Sequence, residues 1–136
     1  MMYTIYMKKY AWHVIYYEYK NGHCPVYEFL ESLSDREKAK LFNWIALLER
    51  DGPQVPRPYA DLLEDGIHEL RVKLTGDQVR VLYFFCYRDF IVLTHCFTKH
   101  AAQVPVAEIE KAKKYRIDFL KRYTEKKIRE LIDENL

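Results

Sequence analysis

Cationic side chains recur on three neighbouring runs of strand-like sequence in the middle of the chain. They are Arg71 in Glu69-Leu70-Arg71-Val72-Lys73, Arg80 in Val79-Arg80-Val81-Leu82-Tyr83, and His95 and Lys99 in His95-Cys96-Phe97-Thr98-Lys99, with His100 directly after. These residue types suit one reaction. RNA is cut by its own ribose when a base takes the 2′-hydroxyl proton, cations hold the phosphate oxygens and an acid protonates the departing oxygen. Imidazole is fitted to proton transfer near neutral pH, and guanidinium holds two phosphate oxygens through parallel hydrogen bonds. Each donor so positioned contributes on the order of 10²–10³ in rate. Phe97 adds a ring, and rings beside cations hold single-stranded RNA by stacking and phosphate contact. Lys73, Lys113 and Lys114 are further candidates for contact with the RNA backbone. No acidic cluster of the kind a divalent metal needs occurs on these runs, so neither a metal nor another cofactor is expected.

Each residue also has a plainer use. Arg80 lies in an otherwise apolar run, where it is either the partner of an acid such as Glu69 or held to meet a phosphate. An isolated histidine such as His95 is often a hydrogen-bonded core residue. Lys99 and His100 suit a solvated strand end. The cations Lys111, Lys113, Lys114, Arg116, Lys121 and Arg122 equally fit a solvated helix face laced with i,i+4 pairs. The combination, more than any member, points to a phosphate-handling surface.

The elements that must position this set can be read from periodicity. Residues 12–19, rich in β-branched and aromatic types, form a strand closed by Lys20-Asn21-Gly22-His23. Pro25 opens a short helix. Ser34 and Glu37 form a capping box, so a second helix starts at Asp35, with Leu41, Phe42, Ile45 and Leu48 on its apolar stripe and Asp51-Gly52-Pro53 ending it. Residues 53–66, with three prolines, read as a loop. Strands follow over 67–74, 78–87 and 90–98, joined by short turns and therefore antiparallel. Alternation puts Glu69, Arg71 and Lys73 on one face and Leu70, Val72 and Leu74 on the other. In the last strand it groups Ile91, Leu93, His95, Phe97 and Lys99 against Phe90, Val92, Thr94 and Cys96. A long helix then runs from near Pro105 to the end, its part after Thr124 extending past the core. The order β-α-α-β-β-β-α is an α+β fold, a twisted antiparallel sheet with two N-terminal helices packed on it and a C-terminal helix.

Composition agrees. The 136 residues suit one domain, with a core over about 12–123 and a helical extension over 124–136, and 49% hydrophobic content supplies that core. The net charge of +2 leaves room for a local basic patch. Cys24, Cys86 and Cys96 show neither disulfide nor zinc spacing, which fits a reduced, cytoplasmic protein. The first residues lack a secretory pattern, and no run approaches the roughly 20 apolar residues of a membrane span.

Taken in order, Glu69-Leu70-Arg71, Arg80-Val81-Leu82-Tyr83-Phe84, His95-Cys96-Phe97-Thr98-Lys99, Pro105 and Glu108-Ile109 resemble the HigB-like, phage-derived branch of the RelE/ParE toxin superfamily over about residues 12–123. The resemblance implies a RelE-like fold and the toxin of a type II toxin–antitoxin system. Such a toxin is a metal-independent endoribonuclease that cuts mRNA on the ribosome and is held inactive by a cognate antitoxin. It places catalysis on Arg71, Arg80, His95, Lys99 and His100: the arginines as phosphate clamps, His95 or His100 as acid or base, Lys99 as a cation for the transition state. Cys96 departs from the family's small glycine, and His100 stands where a second lysine is common. Two other readings share the fold. One is a ParE-like gyrase inhibitor that is not a nuclease; the other is an inactive phage-derived protein that binds antitoxin or RNA.

Overall fold

A computed structural model describes residues 12–134. The chain runs β1 (His13–Tyr16), α1 (Pro25–Glu31), α2 (Asp35–Asp51), a 3₁₀ turn (Gly52–Gln54), β2 (Ala60–Glu64), β3 (Ile67–Leu74), β4 (Asp77–Cys86), β5 (Phe90–Thr98), α3 (Val106–Arg122) and α4 (Glu125–Glu134). The five strands form one sheet in the order β1-β5-β4-β3-β2. The expected α+β class holds, and β3, β4 and β5 are antiparallel as read. β1 differs: it lies parallel to β5, with Val14 beside Ile91, so the sheet is mixed.

Local sequence accounts for most of these elements. Pro25 opens α1, and Val26 and Leu30 face inward one turn apart. At α2 the Ser34 hydroxyl accepts from the Glu37 amide while the Glu37 carboxylate takes the Ser34 amide. Leu41, Ile45 and Leu48 bury its inner stripe, whereas Phe42, expected on that stripe, is 45% exposed. Phe42 lies beyond the edge of the stripe, while half-buried Trp44 and Leu47 flank it against the core.

The expected loop over 53–66 contains β2. Ala-Asp-Leu-Leu-Glu has no β-branched residue and follows three prolines, so its intrinsic strand signal is weak. It forms because Asp65 and Gly66, both with positive φ, make a two-residue hairpin turn that folds it back on β3. Asp-Gly is the sequence such a turn favours. Thr75-Gly76 makes the corresponding turn between β3 and β4.

Alternation along β3 is as expected: Leu70, Val72 and Leu74 join the core under α1 and α2, and Glu69 and Arg71 face the other way. Along β5 the expected grouping breaks. Leu82 pairs with His95 but Tyr83 pairs with Leu93, so Thr94 is an extra residue in a β-bulge. The bulge resets the alternation. Ile91 and Leu93 share the α1–α2 side with Cys96, while Phe90 and Val92 share the opposite side with Phe97. The Thr94 hydroxyl is 3.1 Å from the Leu82 carbonyl across this bulge.

The second core, on the opposite face, joins Ile67, Leu82, Phe84, Phe90 and Val92 to Ala112 and Phe119 of α3. Arg116 of α3 pairs with Asp65 of the β2–β3 turn at 3.1 Å, and Lys113 pairs with Glu64. The helix expected to run unbroken to the end stops at Arg122 and restarts as α4. Its last two residues, 135–136, lie outside the described residues. α4 does not extend past the core. Ile128 is 5% exposed within the second core, and Arg129 bonds both Asp89, at 2.6 Å, and the Tyr87 carbonyl of the β4–β5 turn. Among the described residues no helix is long and apolar enough to cross a membrane.

Docking of α4 has a direct test. Ile128→Ala is expected to lower the unfolding free energy by about 2–5 kcal/mol in a urea titration, the usual cost of emptying a buried isoleucine site. An unchanged midpoint would mean that the segment contributes nothing to the core.

Candidate functional site

The sheet face under α3 is covered at the β1–β5 end and open at the β2–β3 end. There a cleft of about 510 Å³ is bounded by β2, β3, β4, the segment after β5 and the first turn of α3. Its charged lining is Asp61, Glu64, Glu69, Arg71, Arg80 and Lys99. Cross-strand register builds it. Arg71 stands opposite Arg80, which stands opposite Phe97; one row along, Glu69 stands opposite Leu82, which stands opposite His95. The Lys99 amide donates to the Gln78 carbonyl at 2.6 Å, carrying the β4–β5 pairing one step further and fixing where Lys99 leaves the sheet.

Two guanidinium groups directly opposed on neighbouring strands repel each other unless a counter-charge stands between them. Glu69 is that charge. Its carboxylate is 2.8 Å from Arg80 Nε through one oxygen and 3.0 Å from an Arg71 terminal nitrogen through the other. Glu69 is 3% exposed and Arg80 7%. The contact is close but not well bonded. The Arg80 Nε–H does not point at the carboxylate oxygen 2.8 Å away, so neither atom has an aligned hydrogen bond, and the Arg71 Nε is likewise buried and unbonded. Arg80 spends one terminal nitrogen on its neighbour's carbonyl, Val79, at 3.2 Å. Arg71 also reaches Asp61 at 3.5 Å and the Pro58 carbonyl at 3.3 Å.

His95 lies outside the cleft lining. It is 4% exposed, stacked on Phe97 with 5.7 Å between ring centres and edge-on to Tyr115. Nε2 is 3.0 Å from the Glu108 carboxylate in the first turn of α3, and Nδ1 is 3.0 Å from the Thr94 hydroxyl. Thr94 has one proton to give, to Nδ1 or to the Leu82 carbonyl. When the ring is neutral, Nε2–H donates to Glu108 and Thr94 donates to Nδ1; when it is charged, Nδ1–H donates to Thr94, which turns to the carbonyl. Burial holds the His95 pKa below its usual value, against the Glu108 carboxylate, which favours the charged ring; Lys111 adds a smaller push downward. The neutral arrangement therefore dominates near pH 7.

Of the residues singled out in the sequence, the cleft gathers Arg71, Arg80 and Lys99. His100 is exposed just beyond Lys99, and Lys73 is exposed further along β3 toward the turn. Lys113 is engaged with Glu64 and Glu110, and Lys114 is exposed on α3. The acids Asp61 and Glu64 were not singled out, and Glu108 only within the Glu108-Ile109 match, without a role. Asp61 and Glu64 belong to the strand concealed by the proline-rich stretch, and the Asp65-Gly66 turn signal was the available clue to it. Aromatic rings join the segment after β1 to α3: Tyr17 stacks on Tyr115 at 4.6 Å, and the Tyr19 and Tyr115 hydroxyls are 2.7 Å apart. Among the described residues no three His, Cys, Asp or Glu side chains are grouped to hold a metal ion.

The profile of one family, "Phage derived protein Gp49-like", matches residues 28–116, from α1 into α3 and across the whole cleft. The chain belongs to the Gp49-like family of phage-derived proteins. That family is related to the RelE/HigB toxin superfamily, which agrees with the mixed α+β architecture of this Gp49-like protein. No curated protein matches the chain.

The His95 environment makes stability depend on pH. An unfolded histidine titrates near pH 6.5, while burial keeps folded His95 lower, so below about 6.5 the unfolded chain binds more protons. Stability from this group is full above that pH and falls as pH drops through it. His95→Asn is expected to flatten the fall in urea midpoint between about pH 7 and pH 5. His68, also lowered by burial, accounts for part of what remains. An unchanged slope in the variant would show that His95 does not carry the dependence.

Proposed function

We propose that this Gp49-like protein is the toxin of a type II toxin–antitoxin pair, an endoribonuclease that cuts mRNA on the ribosome without a metal and is restrained by a cognate antitoxin. The observation that supports this reading most is the convergence of Arg71, Arg80 and Lys99, from three different segments, on one open cleft. A surface built only for protein docking has no need to hold guanidinium groups against their mutual repulsion at the bottom of a cleft. A scissile phosphodiester does need them, since charge gathers on its non-bridging oxygens as the ribose 2′-oxygen attacks.

In this reading Arg71 and Arg80 clamp the phosphate oxygens, and Lys99 balances charge as the phosphorus becomes five-coordinate. The 2′-hydroxyl loses its proton to a base, the 5′-oxygen leaves with a proton from an acid, and the products are a 2′,3′-cyclic phosphate and a 5′-hydroxyl. His100, exposed beside Lys99, is the better placed histidine for proton transfer. His95 has both ring nitrogens engaged, and acts by holding the start of α3 against β5. In the same reading Phe97, opposite Arg80, and the exposed Lys73 and Lys114 steady the flanking nucleotides. Lys113, tied to Glu64, acts on the position of α3 instead of on RNA.

The test is to add the protein to a translation extract and map mRNA ends. Codon-phased cuts are expected with the wild type, and at least about tenfold fewer with Arg80→Ala, the loss of one charge-assisted phosphate contact. Cutting at the wild-type level by folded Arg80→Ala would remove that residue from the site. Intact mRNA with cleaved DNA trapped on gyrase would replace this reading with the ParE-like one.

A further inference from the structure

We propose that Glu69 is a built-in competitor: in the resting protein its carboxylate occupies the place between Arg71 and Arg80 that a phosphate group of the ligand takes over, so that binding displaces an internal anion. The inference rests on the reading of the cleft as a phosphate site and adds how that site is kept closed.

The geometry is that of a substitute. One carboxylate spans two guanidinium groups, 2.8 Å from one and 3.0 Å from the other, deep in a cleft that has room for a larger anion. A carboxylate is planar, and its two oxygens match the fork of a single arginine. Divided between two arginines on different strands, it fills the fork of neither: Oε2 accepts one bond from an Arg71 terminal nitrogen, while Glu69 Oε1, Arg80 Nε and Arg71 Nε are all buried and without an aligned hydrogen bond. Buried polar groups of an ion pair that serves only stability are normally satisfied, since each orphan costs about 1–3 kcal/mol. Phosphate oxygens point to the corners of a tetrahedron, so one phosphate can accept from two guanidinium groups lying in different planes. The orphaned donors are the ones it would use.

The charges point the same way. Three acids and three bases line the cleft, but two of the acids are also neutralised from outside it: Asp61 by Arg57 at 3.0 Å and Glu64 by Lys113. Glu69 alone depends on the cations of the cleft. Moving it aside frees Arg80 and leaves Arg71 with its 3.5 Å ion pair to Asp61, in the same cleft as Lys99. Exchange then takes a rotation of the Glu69 side chain that carries its carboxylate toward the cleft mouth, where water solvates it. Such an arrangement keeps two buried cations paired while the site is empty, and it lets only a ligand with at least as favourable an anion enter.

Inorganic phosphate is the probe. Titrated into the full chain at constant ionic strength, with chloride as the balancing salt, it is expected to bind folded Glu69→Gln at least tenfold more tightly than wild type, because the competing charge is gone while the hydrogen-bonding shape remains. Equal or weaker binding by the folded variant overturns the proposal. Should that variant not fold, the wild type decides: phosphate is expected to move the side-chain Nε resonances of Arg71 and Arg80 and the carboxylate carbon of Glu69 together and saturably. Stationary resonances overturn it. The readout is independent of cleavage. Tighter phosphate binding by Glu69→Gln in a protein that cuts no RNA keeps this inference and removes the nuclease reading; codon-phased cutting with no gain on Glu69→Gln does the reverse.

Discussion

The repulsion between Arg71 and Arg80, set directly across from each other on β3 and β4, is the constraint around which the rest is arranged. Two like charges in that position oppose the strand pairing that the core requires. The sheet resolves the conflict with a single residue two steps along β3, where alternation returns the side chain to the same face. Glu69 binds both arginines and is buried by doing so. Removing one member of such a buried set typically costs about 3–5 kcal/mol, because an uncompensated charge is left in a poor solvent. The fold thus tolerates a cationic cleft only while an anion sits in it, supplied by the chain or by a ligand.

Everything around the cleft serves its depth. β2 supplies Asp61 and Glu64, which hold Arg71 and Lys113 and so tie the sheet edge to α3. The α3 helix is secured at three heights, by Glu108 on His95, by Lys113 on Glu64 and by Arg116 on Asp65. Those contacts keep its first turn at the rim instead of over the arginines. α4 folds back on the second core through Ile128 and Arg129, and adds to the scaffold on the side away from the cleft.

The sequence carried much of this. Hydrophobic periodicity, a capping box and Gly-containing turns located α1, α2, β3, β4 and β5, and period-two alternation along β3 put Glu69 and Arg71 on one face. Two features stayed hidden for identifiable reasons. The bulge at Thr94 depends on pairing between β4 and β5 and leaves no local mark, so the side-chain grouping along β5 came out reversed before Thr94. β2 lacks strand-favouring residues and is held by its partner, which concealed the acids it brings. The cations of the site were visible because charge within an apolar run stands out. Their partners lie on other elements and could not be paired by spacing, apart from Glu69, two residues from Arg71. His95 illustrates the limit: its residue type suggested chemistry, but its burial and its bonds to Thr94 and Glu108 had no mark in the strand pattern.

The central claim is that Arg71, Arg80 and Lys99 together hold one RNA phosphate. The most direct measurement is the salt dependence of binding to a short single-stranded RNA whose scissile ribose lacks its 2′-hydroxyl, which allows binding without cutting. The account predicts that Lys99→Gln and Arg71→Gln each weaken binding and each reduce the slope of log affinity against log salt by about 0.7, one released counterion per lost phosphate contact on a single strand. Slopes equal to wild type in both folded variants would contradict it.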